Sequence, residues 1–209
     1  NLTNSPASNT QLILDALKQS RLVFYRIQSL GGINQMDLPP VLDLESNCTA
    51  TDFHGNCIAS LNQAQVSLWT ITFLRNLSRL TNRKAILNTF PSFLQNYMLR
   101  DHNLNQFPIW VAQYGAAPTT TTNQPGQLPI GCYVTAWTSS DCINHWTIWQ
   151  FSSCGIGKLH GLPNGRLDLN VFNGTSDDFQ NFVNGNWSPQ TINQFPFNQS
   201  VTGQIETVT

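Results

Sequence analysis

Two carboxylic acids stand two residues apart in the run Leu38-Pro-Pro-Val-Leu-Asp-Leu-Glu45. Read as a strand, that run sends Asp43 and Glu45 out of one face with their Cα atoms about 6.6 to 6.8 Å apart, so the two acids converge on one place. The polar stretch from Ser46 marks the exit of the strand, and parallel α/β barrels keep their chemistry at that carboxyl end. A carboxyl pair there suits glycoside hydrolysis: one group protonates the leaving oxygen while the other stabilises or attacks the sugar. The spacing lies too near both the retaining and the inverting range to choose between them. A bare Asp-x-Glu is equally at home as two solvated acids at a strand end, so the pair alone decides little.

Other residues with chemistry to offer are aromatic or amide. Trp110, Ala112 and Tyr114 share one face of the strand-like run Phe107-Pro-Ile-Trp-Val-Ala-Gln-Tyr114, where flat rings can stack on the apolar face of a pyranose. Gln150 can both donate to and accept from sugar hydroxyls. Core packing competes with this role for each ring, and for Trp146 and Trp149 it is the favoured reading. His54, His102, His145 and His160 show no ligand spacing such as H-x-x-x-H, so neither a metal site nor another cofactor is expected. No G-x-S-x-G stands on a strand-to-helix turn, which removes the usual signature of a serine hydrolase.

The elements that must position these groups are legible from periodicity. Ser8 to Leu30 reads as a helix stopped by Gly31-Gly32, and Leu38 to Glu45 as a buried strand opened by prolines. Ala59 to Leu80 carries a wide apolar face at helical spacing. Lys84 to Asn88 reads as a strand, Pro91 to Leu99 as a helix opened by its proline, and Phe107 to Tyr114 as a strand. A Thr-, Pro- and Gly-rich loop from Gly115 to Gly131 is long enough to wall a cleft. Trp146 to Ser152 and Arg166 to Asn170 are strand-like runs joined by a Gly-rich connection. Helix and strand alternate first and strands then adjoin, which argues for α/β architecture of the triosephosphate-isomerase barrel type. Beyond Asn184 the chain is rich in Asn, Gln, Thr and Pro, so 1–184 reads as the barrel portion and 185–209 as a polar tail.

Composition narrows the partners. Ten basic residues against eleven acidic ones give a net charge of -1, too little field to draw nucleic acid or an anionic membrane. No apolar run of about 18 residues spans a bilayer. Asn1, Asn47, Asn76, Asn173, Asn186 and Asn198 each open an Asn-x-Ser/Thr sequon, of which several must be chance in so Asn-rich a chain. Five cysteines, Cys48, Cys57, Cys132, Cys142 and Cys154, read as loop disulfides with one thiol left over. A Cys48–Cys57 bridge would close a small loop. Sequons and disulfides together suit a secreted protein or one of a lysosome- or vacuole-like compartment.

Four segments in order then carry a resemblance: Leu38 to Glu45, Pro108-Ile-Trp-Val-Ala-Gln-Tyr114, Trp146-Thr-Ile-Trp-Gln-Phe-Ser152 and Leu167-Asp-Leu-Asn-Val-Phe-Asn173. Together they resemble family 25 of the glycoside hydrolases, the Chalaropsis-type lysozymes, from Ser8 to Val183. The resemblance implies an irregular (β/α)5(β)3 barrel that cuts the β-1,4 bond between N-acetylmuramic acid and N-acetylglucosamine, with peptidoglycan glycan strands as partner. It makes Glu45 the proton donor and Asp43 its partner, and it places Asp168 at the end of the last strand, lining the site. It also implies that the strand face bearing Trp110 and Tyr114 looks into the site.

The chain departs from that family at its start. The family opens with a strand ending in an Asp-Val-Ser-like motif and two further strand units, none of which is present here. One strand–helix unit takes about 30 residues, only 37 precede Leu38, and about five strands are legible where eight are expected. The expectation is therefore a cleaved or partial barrel, with an N-terminal fragment of the same precursor as a candidate partner. A catalytically silent carbohydrate-binding remnant, and a hydrolase of chitin-like chains, are the competing functions.

Overall fold

The computed structural model describes residues 8–99, 104–114, 146–163 and 165–188. Cys132, Cys142, His102, His145, the loop 115–131 and the tail from 189 lie outside the described residues.

Helix α1 (Asn9–Ser29) begins where Ser8 accepts from the Gln11 amide and Gln11 returns a bond to the Ser8 N–H, a reciprocal cap. It stops at Gly31 and Gly32, whose φ values of 106° and 84° few other residues adopt. Helix α2 (Gln63–Thr81) repeats the device with Asn62 and Gln65 and ends on left-handed Asn82. The Asn62 cap starts it four residues later than the apolar face beginning at Ala59 suggests.

The two helices pack on each other through Leu12, Ala16 and Ser20, small or apolar residues four apart on one face of α1. Polar pairs fix the register: Asn76 Nδ2 donates to Ser20 Oγ at 2.7 Å, and Trp69 Nε1 donates to Asp15 Oδ2 at 2.8 Å.

Strands β1 (Val41–Asp43), β4 (Ile86–Thr89), β5 (Ile109–Ala112), β6 (Ile148–Ile156) and β7 (Arg166–Phe172) form one sheet in that order. The first four run parallel and β7 returns antiparallel on β6. This is a mixed α/β fold dominated by parallel pairing, as the alternation of elements implied. Closure into a barrel is not seen: among the described residues β1 pairs only with β4, and β7 only with β6.

The edge position also corrects the expectation of a buried strand at 38–45, because only Leu42 of β1 is buried while Val41 and Asp43 are exposed. A further correction is the segment between the cysteines. It is a β-hairpin of β2 (Cys48–Thr51) and β3 (Cys57–Ser60), cross-linked by Cys48–Cys57, where a polar loop was expected.

One face of the sheet is covered by helices. Leu42, Leu87, Ile109, Val111 and Trp149 pack there with Phe73, Leu74 and Leu77 of α2 and with Phe93 and Leu94 of α3 (Pro91–Tyr97). Trp146 and Trp149 belong to this core, as their sequence context favoured. β6 and β7 approach closely at Gly155, where a Cβ would lie 2.7 Å from Leu169 Cγ and 2.9 Å from the Leu167 carbonyl oxygen. Helix α4 (Ser176–Val183), which the sequence reading passed over, closes the lower part of the opposite face. There Phe182 packs with Ile86 and Ile148, and Trp110, Phe172 and Trp187 lie against them. Arg83 ties this layer to the loop after α1: Nη1 donates to the carbonyls of Asp37, at 2.7 Å, and of Val183, and Nη2 to that of Asn34 at 2.9 Å.

The α4 cap supplies a test. Thr175 Oγ1 accepts from the Asp178 amide, and the Asp178 carboxylate accepts from the Thr175 N–H and hydroxyl, which hold it below the ordinary carboxylate range. Thr175→Ala is expected to cost about 1 kcal/mol in urea unfolding at pH 7. A carboxyl whose folded pKa is depressed stabilises above its unfolded value of about 3.9, and that contribution fades as pH falls through the folded value. The stability gap between the parent and Asp178→Ala should therefore narrow below about pH 4; a gap independent of pH would refute the assignment.

Two sequons are excluded by burial. Asn76 and Asn173 are 7% and 4% exposed, and their amide nitrogens donate to Ser20 Oγ and to the Trp146 carbonyl, so neither can carry a glycan in this fold.

Candidate active site

Parallel pairing brings the carboxyl ends of β1, β4, β5 and β6 to one edge of the sheet. Leu42 turns into the helix-covered core, so alternation sends Asp43 to the opposite face, and Leu44 beyond the strand packs on the same core. β1 ends at Asp43, and Glu45 lies just beyond the strand. Two bonds keep the exit straight: the Leu44 N–H donates to the Asn88 carbonyl at 2.9 Å, and Thr89 Oγ1 donates to the Leu44 carbonyl at 2.7 Å. Both acids are exposed.

The same face continues across the sheet in register. Asp43 stands beside Asn88, Asn88 beside Trp110, and one step higher Ala112 beside Gln150 and Gln150 beside Asn170. Trp110 is half-buried and held by its Nε1, which donates to Asn170 Oδ1 at 2.8 Å. Gln150 Nε2 donates to the Tyr114 hydroxyl at 3.3 Å, linking β6 to the exposed ring that follows β5. The main chain under that ring is fixed from the other side, where Trp149 Nε1 donates to the Gln113 carbonyl at 2.7 Å. Gln150 and Tyr114 are thus bonded directly, and Trp110 shares the sheet face with them through Asn170, the register partner of Gln150.

Asp168 shares the face by alternation with Asn170 and Phe172 and is exposed. Among the described residues it sits on one edge strand of the sheet, β7, while Asp43 sits on the other, β1. The structure therefore places Asp43 at the end of β1 with Glu45 two residues on, bonds Gln150 to Tyr114 and Trp110 to Asn170, and sets Asp168 on the opposite edge strand of the described sheet.

Asn88 and Asn170 belong to this surface and were not singled out from the sequence. The signal for Asn88 was its place at the end of the strand following the acidic one. Asn170 could be found only from the register of β7. Among the described residues no group of histidine, cysteine and acidic side chains is arranged to hold a metal ion. Of the three later cysteines, Cys154 is a free thiol and the other two lie outside the described residues.

The family model described as Glycosyl hydrolases family 25 matches residues 13–158. The chain belongs to glycosyl hydrolases family 25. The match takes in Asp43, Glu45, Trp110, Tyr114 and Gln150 and stops short of Asp168. Among curated proteins, the chain is similar to the uncharacterized protein YegX of Escherichia coli, 27% identical over 172 residues, covering 82% of this chain and 48% of that protein. The chain thus spans about half the length of the curated relatives it matches.

Solved structures of a lysozyme, a muramidase and a spore cortex lytic enzyme share the fold. The bacterial lysozyme from Streptomyces coelicolor is 22% identical at a TM-score of 0.53, covering 82% of this chain and 67% of that one. The muramidase from Acremonium alcalophilum is 22% identical at 0.52, over 81% and 67%. The Clostridium perfringens spore cortex lytic enzyme SleM is 27% identical at 0.52, over 79% and 46%.

The hairpin that follows Glu45 gives a second test. Its disulfide closes a loop with a sequence separation of 9, worth roughly 2 to 3 kcal/mol in the chain-entropy picture. The double variant Cys48→Ser/Cys57→Ser should be nicked by protease within 48–57 at temperatures where the parent stays whole; equal resistance would show that the strands hold without the bridge.

Proposed function

We propose that this chain is the greater part of a lysozyme-like glycoside hydrolase that cuts the β-1,4 bond between N-acetylmuramic acid and N-acetylglucosamine in peptidoglycan. Glu45 gives its proton to the glycosidic oxygen. Asp43 stabilises the positive charge that develops on the sugar ring, and Trp110, Tyr114 and Gln150 hold neighbouring sugar. Asp168 approaches the same cleft when the sheet curls into an irregular barrel. The free edge of β1 then takes the strands that an upstream segment of the precursor supplies. The observation that carries this reading is the exposure of both acids at the end of a parallel strand whose Leu42 and Leu44 pack into the helix-covered core. Family membership and the lysozyme and muramidase relatives support it. The disulfide fits an oxidising, secreted setting, with a lysosome- or vacuole-like compartment as the intracellular alternative.

The test is the chemistry of the products. Purified walls incubated with the protein, alone and with its precursor's upstream segment, should lose turbidity and release fragments ending in reducing N-acetylmuramic acid. Fragments ending in reducing N-acetylglucosamine, or soluble sugar from chitin instead of walls, would overturn the assignment.

A second reading is a silent carbohydrate-binding remnant of the barrel. It is favoured by the exposure of both acids and by the place of Asp168 on the opposite edge strand. Binding to walls with no lysis under either condition would select it.

A further inference from the structure

The hairpin after Glu45 has a use that the two acids do not exhaust. Its base is fixed, since the Leu61 N–H donates to the Asn47 carbonyl and Asn47 Nδ2 to the Leu61 carbonyl, each at 2.8 Å. Leu61 itself packs on the main core. Its two strands are cross-linked by Cys48–Cys57, from the start of β2 to the start of β3. Its tip is wound around Asp52, whose Oδ1 accepts from the amides of His54 and Asn56 at 2.9 and 2.8 Å and whose Oδ2 accepts from Asn56 Nδ2 at 3.0 Å. Those donors, the Asn56 side chain foremost, keep the Asp52 carboxyl below its ordinary range.

On this rigid tip stands Phe53, 92% exposed, with one ring face against the His54 imidazole at 3.6 Å between centroids and 40° between planes. A large apolar ring held in water on a braced support has given up its own burial, and its free face is flat. The hairpin leaves the sheet at the strand-exit edge, beginning three residues after Glu45.

We propose that the Phe53–His54 pair is an outer sugar subsite, stacking on the apolar face of an N-acetylhexosamine in the same glycan strand that reaches Asp43 and Glu45. The inference rests on the glycan-cleaving reading above and adds to it a contact several sugars away. The continuity of the hairpin with the acid strand argues for the occupant, since Cys48 begins the hairpin three residues after Glu45 and a glycan strand at that strand exit is the polymer nearest in the chain to its base. Ring–pyranose stacking resembles other aromatic pair contacts in size, which translates to about a two- to ten-fold change in affinity.

The experiment is sedimentation of the full chain with insoluble peptidoglycan in a Glu45→Gln background, so that the wall is not consumed. Adding Phe53→Ala should weaken binding about two- to ten-fold, Phe53→Trp should restore it, and Ile58→Ala, which trims an exposed aliphatic group of the same hairpin, should leave it unchanged. Equal affinity with and without Phe53, or an equal loss from Ile58→Ala, would overturn the stacking role while leaving the function standing. Phe53-dependent binding to phosphatidylglycerol vesicles with unchanged wall binding would overturn it in favour of a membrane contact. If the parent neither lyses nor binds walls, the function and the subsite fall together.

Discussion

Glu45→Gln should abolish wall lysis while leaving wall binding intact. The substitution keeps the size and the hydrogen-bonding reach of the side chain but removes the proton it would give to the leaving oxygen. General acid catalysis of that kind contributes about 10²- to 10⁴-fold. Turbidity loss of a wall suspension should slow by that factor, with sedimentation alongside the same walls unaltered. The contrast is informative because Glu45 is exposed and just past the end of β1, so the exchange removes no core contact. A variant that lyses within a few-fold of the parent would move the proton donor elsewhere. A variant that also stops binding would make Glu45 a sugar ligand.

The largest stability effect is expected at Trp149. This side chain is buried in the helix-covered core, stacks edge-on against Trp146 with 6.3 Å between centroids and lies 5.7 Å from Phe151. Trp149→Ala removes those contacts and leaves a cavity, at a cost of about 3 to 5 kcal/mol. In a chain of this size each kilocalorie lowers the melting midpoint by about 2 to 4 °C, so the loss should be about 6 to 20 °C. Trp149→Phe separates the two parts of the role. It retains most of the packing but frees the Gln113 carbonyl, the last anchor before Tyr114. It should therefore cost about 1 kcal/mol and loosen the Gln150 to Tyr114 contact. A drop below about 1 kcal/mol for the alanine variant would show that the core closes over the gap.

What the sequence disclosed follows from how local each signal is. α1 and α2 were legible because their apolar faces repeat at helical spacing over about twenty residues, and Ser8 and Gly31 punctuate the first. The strands were legible as short apolar runs. The apolar pattern in Trp146 to Ser152 does not announce that β6 continues to Ile156, because its later part is Ser, Cys and Gly, bent by irregular pairing with β7. α4 escaped because eight residues hold barely two turns of pattern, although Thr175 and Asp178 mark its start.

The acid pair was visible from a two-residue spacing, whereas the rest of the surface depends on register. Asn88 joins Asp43 only because β4 pairs with β1 in one alignment of several, and Asn170 meets Trp110 only through the antiparallel return of β7. The hairpin was hidden by composition. Cys48 to Ser60 lacks an apolar alternation, and its strands are held by a cross-link and by Asp52 instead of by burial.

The Arg83 fork bears on the order in which the molecule assembles. Its bond to the Val183 carbonyl joins positions 100 apart in sequence, and the entropy of closing so long a segment must be met before the contact returns anything. One guanidinium on the turn into β4 thus meets the carbonyl end of α4 across the intervening strands. The contact between α4 and the turn into β4 is therefore among the costly long-range closures of the fold.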